Sequence, residues 1–330
     1  MTRVPFSLIF LFASIIYTPQ CLAEWFKQHQ DIMGTPIRVE LWHNDPEQAQ
    51  QAIQSVMEEM RRVDIMMSSY KPDSDLSRIN QQAASHAVKV NPELLTLIKK
   101  SIQFSELTKG AFDITFASIG RLYDYRKKIH PSDQEIKKNI NKINYKNIIL
   151  DHKKNTIRYA IEGVYIDLGG IAKGHAVDQS IALLNKAGIK HAIVTAGGDS
   201  RIIGDRNGRP WVIGIRDPRK ARTVKGSIPL VNSALSTSGD YERYFIADGE
   251  HYHHILTPAT GRSAKHVRSV TIIAADATTT DALSTSIFVM GIEKGLQLIN
   301  SLKDVEAVII NNNNELIFSE GLLAQTSKPK

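Results

Sequence analysis

Tyr165-Ile166-Asp167-Leu168-Gly169-Gly170-Ile171-Ala172-Lys173-Gly174 reads as a strand that ends in an acid, a two-glycine turn, and a helix with a lysine in its first turn. Exposed N–H groups and the dipole at such a helix start favour phosphate, and Lys173 adds a full charge. Asp167 can accept hydrogen bonds from a ligand, and the Gly170 carbonyl can face a cation. The glycine spacing matches neither the phosphate loop of nucleotide triphosphatases nor the dinucleotide fingerprint, so neither of those mechanisms is invoked. Taken alone, the stretch reads equally as an ordinary strand-to-helix turn with an aspartate cap.

Working outward, Ile37, Val39 and Leu41 alternate with polar residues and predict a strand pair over Gln28–His43. Asp45-Pro46-Glu47 then starts a helix whose apolar positions include Ala52, Val56, Met60 and Val63. A second helix runs from Pro92 to about Thr108 and stops at Gly110. The charged segment Arg126–Asn141 reads as a surface helix. Beyond it, short strands dominate: Asn147–Leu150, Thr156–Tyr159 and Val164–Leu168, then a helix from Ile171 to Lys186 closed by Gly188. Strands at Ala192–Thr195 and Trp211–Ile215 and several more up to Ile255 follow. Ser269–Ala275 feeds a helix over Thr278–Met290, and Val305–Ile310 with Glu315–Phe318 forms a last hairpin. This order predicts an α+β fold with mixed, largely antiparallel sheets and flanking helices, not a doubly wound sheet. No linker or repeat divides Trp25–Thr326, so one compact unit is expected, with room for two lobes.

Arg3, the apolar run Phe6–Ile16 and the small residues before Glu24 follow the plan of a secretory signal, with cleavage expected after Ala23. Residues 1–23 are thus read as a signal peptide and 24–330 as the mature domain, exported to the periplasm. Pro19-Gln20 before Cys21 departs from a lipoprotein signal. Cys21 is the single cysteine of the chain, so its removal leaves no disulfide, thiolate nucleophile or cysteine-held metal. The net charge of +7 is spread, with a basic stretch from Arg126 to Lys146. No basic helix is interleaved with aromatics, which argues against nucleic acid. A mild positive balance suits a polyanionic ligand without demanding one.

Two further segments carry chemistry. In Asp276–Gly291, Asp281 and Thr285 are four apart on a helix and share a face. A carboxylate and a hydroxyl are hard oxygen donors, and with one backbone carbonyl they can hold Mg²⁺. The plain alternative is a surface aspartate and a threonine bonded to its own helix. His251-Tyr252-His253-His254-Ile255-Leu256-Thr257-Pro258 invites a zinc reading, but strand alternation puts His254 opposite the other two histidines. A single histidine acting as general base is the more useful chemistry. Weaker pieces are Met33-Gly34-Thr35, Ser68–Asp75 with Tyr70, Ala111-Phe112-Asp113, Gly197-Gly198-Asp199 and Ser236-Thr237-Ser238-Gly239-Asp240.

Together and in this order, the segments resemble the ApbE family of FAD:protein FMN transferases. The blocks that carry the resemblance are Ile166–Gly174, Thr195–Asp199, Ser236–Asp240, His254–Pro258 and Asp281–Thr285. The resemblance implies FAD contacts at Met33, Tyr70, Ala111, Phe112, Asp113, Asp167, Lys173 and Ile255. It implies Mg²⁺ on the Gly170 carbonyl, Asp281 and Thr285, and a base at His254. It further implies transfer of FMN from FAD to a threonine hydroxyl, with AMP released. The implied acceptors are flavoproteins such as redox subunits of the Rnf or Nqr type, membrane contact being made only through the acceptor or an uncleaved N-terminus. Two other activities fit the same segments: a metal-dependent FAD pyrophosphatase giving FMN and AMP, and a non-catalytic FAD carrier.

Overall fold

The computed structural model describes residues 23–220 and 223–326. The apolar N-terminal run and Cys21, read as part of an export signal, lie outside the described residues.

The period-two alternation seen after Gly34 is realised as a strand. Ile37, Val39 and Leu41 are fully buried, while Pro36 and Arg38 face outward. This strand, β2 (Thr35–His43), pairs with β1 (Glu24–Ile32) through a two-residue turn. Both turn residues, Met33 and Gly34, are left-handed, with φ of 56° and 68°, the backbone that matches the twist of a tight hairpin. Six more strands complete the sheet: β3 (Ala192–Ala196), β4 (Asp199–Ile203), β5 (Ala234–Gly239), β6 (Ser269–Ala274), β7 (Glu306–Ile310) and β8 (Leu316–Phe318). Each pairs antiparallel with its predecessor, so the spatial order of the eight strands is their order in the chain. The expected α+β architecture is therefore correct.

Helices cover one face. In α1 (Pro46–Met67), the Asp45 side chain caps the first turn, and Ala49, Ile53, Val56, Met60 and Val63 line the buried stripe. Next come α2 (Pro92–Leu107), α3 (Ala172–Lys186) and α4 (Ala277–Met290). α1 packs on α3, α3 on α4, and α4 on β5 and β6. A hairpin of Trp211–Arg216 and Val224–Leu230 lies on the opposite face, where Trp211 and Leu230 meet Ile202, Leu235 and Ile273. Covered on both sides, β6 is buried at every residue. A small sheet of Val88–Lys89, Ile148–Asp151 and Thr156–Tyr159 contributes Ile157 and Tyr159 to the same core as the large sheet. The largest core cluster thus joins the large sheet, its helices and the small sheet, with smaller clusters beside it.

Two expected elements differ. Val164–Leu168 is extended but pairs with no strand. Its backbone groups are taken by side chains and a loop: Asn80 bonds both the N–H and the carbonyl of Ile166, Ser118 Oγ accepts from Tyr165 N–H, and Asp167 N–H donates to the Ile114 carbonyl. Such partners satisfy the backbone as fully as a ladder does. The charged segment Arg126–Asn141 is α-helical only over Asp133–Asn139, with a 3-10 turn following at Ile140–Lys142. Pro131 disfavours helix at His130, and Ser132 with Glu135 forms a capping box that starts the helix there.

Candidate active site

The first wall of the site is made where α3 crosses α4. Gly174 permits the crossing, since a β-carbon on it would lie 2.2 Å from the Ala277 carbonyl oxygen and 2.8 Å from Asp281 Cβ. Asp178, one turn along α3, fastens the same junction by accepting from Ala277 N–H and Thr278 N–H at 2.8 Å each. The crossing brings Lys173 to Asp281, with Nζ 3.3 Å from Oδ2, and Gly174 N–H donates to the same oxygen at 3.0 Å. From β4, Asp199 reaches Lys173 Nζ at 2.9 Å. Both carboxylates are at most 3% exposed. Burial opposes the charge on Lys173, but Asp199 and Asp281 outweigh it and hold the ammonium pKa above its usual value. Burial and then the nearby Asp199 push the Asp281 carboxyl up. Two carboxylates against one ammonium leave a buried excess of negative charge, which a cation would relieve.

Hard oxygens gather on the next turn of α4. Thr285 is partly exposed within a run otherwise buried from Thr280 to Val289. Its Oγ1 lies 3.3 Å from Ser238 Oγ on β5, and 3.2 Å from where a β-carbon on Gly170 would stand. Gly170 and Thr285 thus come from two separate stretches and meet, with Asp281 one turn before Thr285 on the same helix. Asp281 is not the surface charge of the plain alternative, and Ser238, not its own helix, is the hydroxyl partner given to Thr285. Asp167 stands on the near side of the glycine turn, accepting from Ser69 Oγ and from Gly169 N–H. Phe112 closes in behind Gly170, 3.3 Å from the same β-carbon position. Ala111 is half-buried beside it, and Phe112 and Ile255 are buried, at 4% and 5% exposure. Asp113 is committed elsewhere: Oδ1 accepts from Thr115 N–H and Oγ1, and Oδ2 accepts from Tyr145 N–H. Its carboxylate caps a turn.

The opposite wall is formed by loops. Tyr70, 83% exposed, has the Arg243 side chain beside it, and Arg243 also approaches Gly34 of the β1–β2 turn. The Arg243 carbonyl accepts from His254 N–H at 3.2 Å and from His254 Nδ1 at 3.4 Å. A carbonyl can only accept, so Nδ1 carries the proton and Nε2 keeps its lone pair. Desolvation, then the Arg243 and His253 charges, push the His254 pKa down to about 3. The Lys173 charge adds a smaller depression. The zinc alternative has no footing at His253, whose Nε2 donates to the Ala264 carbonyl and whose Nδ1 accepts from Ile255 N–H. Among the described residues no three metal-holding side chains of the His/Cys/Asp/Glu type cluster.

The family model of ApbE matches residues 33–309, which span both walls. The chain belongs to the ApbE family. A relative from Vibrio cholerae, named FAD:protein FMN transferase, is 37% identical over 76% of this chain and 76% of its own length. One from Treponema pallidum with the same name is 30% identical over 88% of this chain and 86% of its own. Among solved structures, the ApbE protein of Thermotoga maritima superposes with a TM-score of 0.84 at 36% identity, covering 91% of this chain and 99% of that one.

Within this ApbE-family site, sequence reading leaves two residues without a role. Asp199 sits in a noted glycine loop, but its spacing gives no hint that it neutralises Lys173. Arg243 has no motif at all; only the fold carries it to Tyr70.

Proposed function

We propose that this protein transfers the FMN half of FAD to a threonine hydroxyl of an acceptor flavoprotein, releasing AMP, in a magnesium-dependent reaction. The observation that supports it most is the approach of Thr285 to Gly170, one helical turn from Asp281 in its cluster with Lys173 and Asp199. Buried excess negative charge next to a hydroxyl and a glycine backbone suits a hard divalent cation. Asp281, Thr285 and the Gly170 carbonyl would hold Mg²⁺, which when bound would neutralise charge on the FAD diphosphate.

The remaining work falls to the chain. Met33, Tyr70, Ala111, Phe112, Asp167 and Ile255 line the space for the flavin, with Asp113 holding the backbone of that wall. Lys173 is kept charged by its two carboxylates and keeps Asp281 in place. His254 Nε2 takes the proton of the incoming threonine hydroxyl. The threonine oxygen bonds to the FMN phosphorus, and the bond to the bridging oxygen breaks, that oxygen leaving with AMP. The acceptor would be a redox subunit of the Rnf or Nqr type or another extracytoplasmic flavoprotein. Export of the chain belongs to the same proposal; a periplasmic form beginning at Glu24 is its check.

Incubating the protein with FAD, Mg²⁺ and a candidate acceptor, and weighing the acceptor by mass spectrometry, tests the reading. An FMN-sized gain on a threonine is expected, and Asp281→Ala should abolish it. AMP release with no adduct on any acceptor would overturn transfer in favour of FAD hydrolysis.

A further inference from the structure

Charge balance at the site leaves a vacancy in the accounting of substrate recognition. FAD brings a diphosphate, yet the ammonium of Lys173 is consumed by Asp199 and Asp281. Arg243 is a second, exposed cation, placed beside Tyr70, whose neighbour Ser69 bonds Asp167. Its side chain lies beside the Tyr70 phenol, and its Nη2 is 3.8 Å from the position a β-carbon on Gly34 would take. Its charge also depresses His254. Among the described residues it has no carboxylate partner within salt-bridge distance. Arg243 thus touches the Met33-Gly34 turn and Tyr70 through its side chain and His254 through its main-chain carbonyl, three segments drawn together from distant parts of the chain.

We propose that Arg243 is a substrate-binding residue whose guanidinium meets a phosphate oxygen of the dinucleotide, with Tyr70 setting its direction. This rests on the FAD reading above. The planar fork offers more donors than the Tyr70 oxygen can use, so anion binding and the tyrosine contact are compatible. The carbonyl that orients His254 belongs to the main chain, so side-chain variants at 243 leave that contact in place. The expected loss is therefore in KM for FAD, with kcat for bound substrate little changed.

The test compares FAD binding, by flavin fluorescence, in wild type, Arg243→Gln, Arg243→Lys and Tyr70→Phe, with circular dichroism confirming the fold of each. Arg243→Gln should weaken FAD by about tenfold, the scale of one charge-assisted hydrogen bond, and Arg243→Lys should recover part of that. Tyr70→Phe, which keeps the ring and the guanidinium, should lose less. Equal losses in Arg243→Gln and Tyr70→Phe would overturn the proposal, because Arg243 would then act only by holding the tyrosine. So would unchanged affinity in Arg243→Gln. Failure of the wild-type protein to bind any flavin is a different result, and sinks the FAD reading itself.

Discussion

Gly174 of α3 and Ala277 of α4 are in backbone contact: no β-carbon fits on Gly174, because the Ala277 carbonyl oxygen would be 2.2 Å away. Main chain cannot swing aside as a side-chain tip can, so the helices must separate if Gly174 is replaced. Gly174→Ala should cost about 1–3 kcal/mol in stability, the usual scale of overpacking. It should also displace Lys173 from Asp281, lowering activity beyond what lost fold explains. Thermal melting and transfer activity measured on the soluble variant check this. A variant with wild-type activity and Tm would mean that the helices have slack at this crossing.

Asp199 should govern how much magnesium is needed. Converting it to asparagine keeps the shape but removes one of the two negative charges around Lys173. The cluster then becomes neutral and attracts a divalent cation less. In Asp199→Asn, the Mg²⁺ concentration for half-maximal activity should rise about tenfold, in line with one close charge interaction in a partly screened site. Activity titrated against Mg²⁺ measures it. An unaltered midpoint would disconnect Asp199 from metal affinity.

His254 makes a pH prediction whose sign is fixed. An ordinary histidine takes up its proton near 6.5, whereas the folded chain holds His254 neutral down to about 3. Between those values the unfolded chain carries the extra proton, so stability falls as pH drops through the window and is complete above it. His251 and His253 are also depressed, mainly by desolvation, and act in the same direction. His254→Gln should flatten the fall in urea-unfolding free energy between pH 6.5 and 4, while transfer activity drops sharply at pH 7. If the variant turned over normally, His254 would be dismissed as the base.

Met33 holds a left-handed backbone, φ 56°, that asparagine or glycine adopts more easily. Strain of this kind is kept where the side chain is needed. Met33→Asn should therefore stabilise the fold by up to about 1 kcal/mol, while weakening FAD binding. Denaturant unfolding and flavin titration on one sample separate the two effects. A variant that is both more stable and equally good at binding FAD would take Met33 out of the flavin site.

The parts of the fold that were legible in the sequence are those written locally. The alternation of Ile37, Val39 and Leu41, the Asp45-Pro46 helix start, the Gly188 stop and the closing hairpin at residues 306–318 each depend on neighbours in the chain. Val164–Leu168 was misread because its partners, Asn80 and Ser118, are distant in sequence and use side chains. At the site, Lys173, Asp281 and Thr285 could be singled out by residue type and helical spacing. That Lys173 faces two carboxylates could not, since Asp199 comes from a strand and only the α3–α4 crossing unites them. The three internal hydrogen bonds of Asp113 are likewise invisible in a list of acidic residues.

Because each strand of the large sheet lies beside its chain neighbour, the pairing scheme survives whatever is inserted at a seam. Residues 44–191, between β2 and β3, and residues 240–268, between β5 and β6, are such inserts, and they carry Tyr70, Asp167, Lys173, Arg243 and His254. Loop closure grows only slowly with loop length, so the surface loops within these inserts can lengthen, shrink or change their side chains without dictating a new register, while α1 and α3 stay packed on the sheet. Diversity in what is recognised at the rim can thus accumulate on a frame that has no need to change.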